Sequence, residues 1–153
     1  MTILKQSLLT LDGDQLTALL RARLAGGEEV TLWAERGDRV LVHAAGTTAE
    51  VFPRGLVITV PLETAETGRA PVSVALALPS GDEEPDRVMA TEEDAEGEPI
   101  LVGRWGAALQ EALYGSLLEV LEEKARASGG EPLGFHVKDG AVTLVARMSR
   151  GET

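Results

Sequence analysis

Cysteine is absent from this chain, which excludes disulfide staples, thiolate metal sites and a cysteine nucleophile together. Aromatic residues make up only 3% of the sequence, so any core must be assembled from Val, Leu, Ile and Ala, each burying less area than a large ring. No apolar run approaches the roughly 18 residues that a membrane-crossing helix requires, so no integral membrane insertion is expected. The opening MTILKQSLLTLDGDQL reaches charged residues too soon for a signal peptide, and the expected location is the cytoplasm. Positive charge is scarce as well. A net charge of −11 argues against nucleic acid as a partner, because that binding depends on Lys and Arg neutralising phosphates.

The negative charge is concentrated. Between Pro79 and Pro99, Asp82, Glu83, Glu84, Asp86, Glu92, Glu93, Asp94, Glu96 and Glu98 stand against Arg87 alone. This stretch reads as an acidic, flexible loop over 79–99, with Val88-Met89-Ala90 as its one apolar interruption, able to dock on the body. The carboxylates of TEEDAEGE lack the calcium-loop register, so solvated side chains are expected rather than a cation site.

What is present in quantity is apolar periodicity. In a chain of 153 residues, 44% are hydrophobic, enough for one real core, and a single domain over 1–153 is expected. From Ile100 to Ala127 the apolar residues Leu101, Trp105, Ala108, Leu109, Ala112, Leu113, Leu117, Val120 and Leu121 recur at three and four, drawing one stripe on a long helix. Pro99 suits its first turn and Gly129-Gly130 its end, and its length is about 40 Å at about 1.5 Å per residue. Gly103, Gly106 and Gly115 are unusual inside a helix and admit two explanations, close packing against a strand or room for a ligand.

Ahead of it, Ile3 to Leu11 alternates weakly, as a short strand or an extended lead-in. Asp12 or Asp14 can cap a helix carrying Leu16, Leu19, Leu20 and Leu24 on one face, closed by Gly26-Gly27. From Glu29 to Ala45 the period changes to two, with a tight turn at Arg36-Gly37-Asp38, predicting a hairpin in which Val30, Leu32 and Ala34 share one side. A short strand is expected within Ala49 to Phe52. GLVITVPL (55–62) turns Leu56, Ile58, Val60 and Leu62 one way and Val57 and Thr59 the other. PVSVALAL (71–78) turns Val72, Val74, Leu76 and Leu78 inward and small residues outward, which suggests close approach of another layer. A closing hairpin runs through Leu133 to Val137, an Asp139-Gly140 turn and Ala141 to Met148, with 149–153 as a frayed tail. The architecture predicted is α+β, a curved antiparallel sheet of about five to seven strands packed on one long and one shorter helix.

Catalytic patterns are missing. His43 and His136 have no partners at metal or general-base spacing and read as surface residues of strands; no G-x-S-x-G, S-x-x-K or Walker loop occurs, and GRWGAAL has the wrong glycine spacing for a dinucleotide site. No cofactor, no metal and no enzymatic activity are expected, a carboxylate-based enzyme being the one form left open.

The order of helix, hairpin, two apolar strands, interruption, long helix and closing strand pair resembles single-domain bacterial members of the tubular lipid-binding (TULIP-like) superfamily. LDGDQLTALLRARL resembles their opening helix and LGFHVKDGAVTLVARM their closing strand pair. The resemblance implies a curved sheet along a long helix with an apolar groove between them, taking lipid-like chains. Strands apolar on both sides, beside a helix with small residues, permit such a groove independently, and equally permit a solid core built from the same residues. Its candidate lining is Leu56, Ile58, Val60, Val74, Leu76, Trp105, Leu109, Leu113, Leu117 and Val142. The expected partner is a hydrophobic small molecule or an apolar protein segment. The alternative to a ligand carrier is a dimeric interaction module, akin to a secretion chaperone, that holds an apolar segment of a partner.

Overall fold

A computed structural model of the chain describes residues 3–86 and 95–149. In chain order the elements are β1 (Ile3–Asp12), α1 (Gly13–Arg23), β2 (Thr31–Glu35), β3 (Asp38–Val42), β4 (Thr48–Phe52), β5 (Gly55–Thr64), β6 (Gly68–Ala77), β7 (Glu96–Gly97), α2 (Pro99–Ala127), β8 (Glu131–Lys138) and β9 (Ala141–Ser149). The fold is α+β, as its periodicities predict. One open sheet runs β2-β3-β5-β6-β7, with β4 also on β5; a second, three-stranded sheet runs β1-β9-β8.

The central strand of the larger sheet is β5. Its burial alternates with period two, with Leu56, Ile58, Val60 and Leu62 sealed from solvent, and it faces Val72, Val74 and Leu76 of β6 in an unbroken antiparallel register. Along its other edge β5 is shared by two short strands. Val42 of β3 meets Leu62, and Thr48 to Phe52 of β4 meet Thr59 to Gly55. The corner between them is a tight 3-10 turn at Ala44–Gly46, held by the His43 N–H donating to the Pro61 carbonyl at 2.9 Å.

Both hairpins close on two left-handed residues, Arg36-Gly37 (φ 52° and 86°) and Asp139-Gly140 (φ 53° and 74°), the turn geometry whose twist matches paired strands. Asp12, not Asp14, caps α1: its side chain accepts from the Gln15 N–H while Gln15 reaches back to the Asp12 N–H. The helix ends at Arg23, one residue before Leu24, and tightens into a 3-10 turn that closes at Gly26-Gly27. Ahead of it, β1 is a full strand, paired to β9 over its whole length with one register shift between Ser7 and Leu9.

The long helix α2 begins at Pro99 and is capped by the Glu98 carboxylate, which accepts from the Leu101 N–H at 3.0 Å. It packs against β6 of the larger sheet and against β8 and β9 of the smaller. Its buried stripe therefore joins one continuous core with Leu16, Leu20, Ile58, Phe135 and Leu144. Arg23 of α1 pairs with Glu123 of α2 at 2.7 Å, tying the two helices.

The ends of the acidic segment 79–99 that are described are tied down. Ser80 bridges Val137 and Asp86 bridges Phe135, so this stretch follows the outer edge of β8 and covers backbone that a free edge strand would leave open. Lys5 of β1 pairs with Glu84. At the other end Glu96-Gly97 forms β7 on β6. Val88-Met89-Ala90, the acids at 92–94 and residues 150–153 of the expected tail lie outside the described residues, while Ser149 closes β9.

Candidate functional site

All ten residues singled out as groove lining fall in the shared core. Leu56, Ile58 and Val60 on β5, Val74 and Leu76 on β6, Leu109, Leu113 and Leu117 on α2, and Val142 on β9 are buried, as is Trp105 at 3% exposure. Three of the ten also border open space: Leu56 and Leu76 at a recess beside Phe52, and Trp105 at a space beside β2.

That space is a groove of about 410 Å³ where β2 meets α2, lined by Leu32, Trp33, Ala34, Glu35, Trp105, Ala108 and Ala112. Its size lies in the range of small-molecule sites. Both tryptophans of the chain stand in its wall, one from the edge strand and one from the helix. The local reasons are plain. Trp33 pairs with Val40, whose side chain is sealed in the core, so the Trp33 side of β2 turns toward the helix. Ala108 and Ala112 lie one turn apart on α2, leaving a shallow strip too small to fill the space beside them. Alternation put Val30, Leu32 and Ala34 on one side of the hairpin and Thr31, Trp33 and Glu35 on the other, without saying which is buried. Register with β3 decides the facing, and Val30 and Leu32 are 44% and 53% exposed.

The groove is continuous in its wall with a polar recess of about 290 Å³ lined by Glu35, Arg36, Asp38, Arg104 and Trp105. Glu35 and Trp105 belong to both. Arg104 reaches Glu66 at 3.4 Å and Asp38 at 4.0 Å, both on the exposed surface, while Arg36 makes no ion pair among the described residues. The indole Nε1 of Trp105 is buried and has no hydrogen-bond partner among the described residues. A buried polar atom left unpaired is costly, and the Oγ1 of Thr47 and the Nδ1 of His136 share this condition among the described residues.

The helix glycines divide. Gly106 packs close, since a Cβ there would lie 3.2 Å from Ala95, whereas at Gly103 and Gly115 it would meet nothing within 4 Å. On the opposite side of the sheet from α2, Phe52 is 45% exposed beside a second recess of about 410 Å³, lined in part by Arg54, Val57 and Ala75.

The two histidines are placed apart. The His43 Nε2 lies 2.8 Å from Glu63 Oε1, just beyond the end of β3. His136 on β8 is half-buried beside Lys5, Ser7 and the 81–85 stretch; burial first, then the Lys138 cation, push its imidazole below the ordinary value. Among the described residues no group of three or more His, Asp or Glu side chains is placed to hold a metal, and no helix is long and apolar enough to cross a membrane. Compared with known proteins, the chain matches no family model, no curated protein and no solved structure.

Of the groove lining, Trp105, Ala108 and Ala112 belonged to the helical stripe that periodicity identifies. Leu32, Trp33, Ala34 and Glu35 were not among the ten candidates, and no local signal marks them as lining. They line the groove only because β2 is the last strand of the sheet.

Proposed function

We propose that the chain binds a hydrophobic, lipid-like ligand without chemically altering it, in the groove between the edge of the larger sheet and α2. The observation that carries this reading is the convergence of Trp33 and Trp105, from different layers, on a space floored by Ala108 and Ala112. Apolar concave surface left facing water carries a cost that a bound apolar chain would relieve. The exposed Leu32 extends the apolar surface past the groove mouth. The ligand class is also the one implied by the resemblance to tubular lipid-binding proteins.

Native mass spectrometry of freshly purified protein, before and after organic extraction, tests this. A bound mass lost on extraction and regained with a fluorescent fatty acid is expected. A clean apo mass with no uptake of the fatty acid overturns the reading.

A second reading rests on Phe52 and the recess beside Val57 and Ala75, an apolar surface with small residues on the sheet face away from α2. It makes the chain a dimeric interaction module that holds an apolar partner segment. A doubled mass in solution that reverts to monomer on Phe52→Glu distinguishes it.

A further inference from the structure

A sheet edge presents a row of free N–H and C=O groups, a template on which another strand can pair. Most edges of this fold are closed or blunted. The outer side of β8 carries residues 80–86, through bridges at Val137 and Phe135. The side of β4 away from β5 is covered by α1, whose Thr17 hydroxyl accepts the Ala49 N–H at 2.9 Å and whose Arg21 donates to the Thr47 carbonyl at 2.8 Å. The strand β7 is two residues long, and β1 carries Lys5 and is interrupted by its register shift. None of these devices protects β2. From Thr31 to Glu35 it has no lysine, no proline and no bulge, and among the described residues only β3 pairs with it. Leu32, near its middle, is 53% exposed.

The hairpin turn decides which groups of β2 are free. Glu35 and Asp38 flank a two-residue turn and exchange hydrogen bonds, and bonded pairs alternate along an antiparallel ladder. Trp33 and Thr31 therefore bond to β3, while Leu32 and Ala34 direct their N–H and C=O groups outward. We infer that this edge pairs with β2 of a second copy of the chain, antiparallel about a two-fold axis at Trp33. In that register Leu32 of each copy lies opposite Ala34 of the other, which satisfies every one of those outward groups. A shift of the register in either direction sets one of them against the turn or against the bend before Thr31. The charges fit a second copy. Glu35 faces Thr31 rather than another acid, and Arg36, which makes no ion pair among the described residues, comes to the end of the other copy's strand, where Glu28 and Glu29 stand. Symmetry makes this match twice. The two Trp33 side chains meet as a close, non-hydrogen-bonded pair on the side facing α2, so each copy stands at the mouth of the other's groove. The pairing holds with or without a ligand in that groove.

Sedimentation equilibrium of the full chain is expected to give twice the chain mass at micromolar concentrations and above. In hydrogen exchange followed by NMR, the amides of Leu32 and Ala34, which make no bond within one chain, are expected to slow about ten-fold or more between dilute and concentrated samples. Ala34→Pro removes an outward N–H that the hairpin does not use, and Leu32→Lys places a charge on an exposed edge position. Both are expected to keep a native circular dichroism spectrum and to weaken dimerisation about ten-fold or more, whereas Phe52→Glu leaves the dimer intact. A monomer at every concentration overturns the inference. So does a dimer in which the Leu32 and Ala34 amides still exchange fast, or one that the β2 variants leave intact. Neither result bears on fatty-acid uptake, which tests the groove separately.

Discussion

Trp33 on β2 stands directly opposite Val40 on β3, and this single cross-strand pair decides which side of the first hairpin looks toward the long helix. Val40 is 1% exposed, and directly opposed residues in an antiparallel pair share a face, so Trp33 is drawn in and Leu32 is turned out. The groove follows from that choice, because β2 is an edge strand and ends against the small side chains of α2.

Filling the groove should abolish binding without unfolding the protein. Ala108 is half-buried and borders open volume, so Ala108→Phe has room for its ring. Uptake of a fluorescent fatty acid is expected to fall about ten-fold or more, about 1.4 kcal/mol of lost contact, while the circular dichroism spectrum stays native. Unchanged uptake would place the ligand elsewhere.

Leu113 separates groove from core. It is fully buried in the shared cluster, and Leu113→Ala is expected to cost about 2–5 kcal/mol in urea unfolding, as other core truncations do. A cost below about 1 kcal/mol would mean that this side chain faces empty or ligand-filled volume instead, since the cavity penalty is what makes core truncations expensive.

Two glycine substitutions should act with opposite sign. A Cβ on Gly115 meets nothing within 4 Å, so Gly115→Ala should stabilise the fold by about 0.4–1 kcal/mol by narrowing the freedom of the unfolded chain. At Gly55 the added carbon would run into the backbone carbonyl of Leu76 on the neighbouring strand, so Gly55→Ala should lower the melting temperature. Equal effects at the two sites would contradict the strand contact.

His136 predicts a pH dependence. Its imidazole is held below the ordinary value by burial and by Lys138, so the folded protein resists the proton that the unfolded chain accepts. Above the ordinary histidine range of about 6.5 both states are neutral there and the residue contributes no slope. As the pH falls through that range, stability drops. Urea midpoints at pH 7.5 and 5.5 should differ more for the native protein than for His136→Gln, and an equal drop in both would remove His136 as the source.

The elements themselves were largely readable. Strands β5 and β6 show their buried sides through strict alternation, because a strand between neighbours has one interior face and the pleat has period two. The α2 stripe was equally legible, and its proline and acidic cap sit where an N-terminus needs them. The candidate site was legible only in part. Trp105, Ala108 and Ala112 belong to that stripe, but the ten residues chosen as lining are those that periodicity marks as interior, and all ten are buried in the core. Periodicity reports the side that turns inward, not the places where inward-facing layers fail to meet.

By itself, then, the sequence determined the α+β character, the helices, the two Gly-containing hairpin turns and the apolar sides of the central strands, all set by interactions within a few residues or by a repeat of two or 3.6. Tertiary structure alone decided three things. It split the strands into two sheets, it laid residues 79–86 along the β8 edge, and it brought Trp33 beside Trp105. Each joins residues far apart in the chain, and pairing of that kind depends on strand register and on which edges remain open, quantities that no local pattern carries.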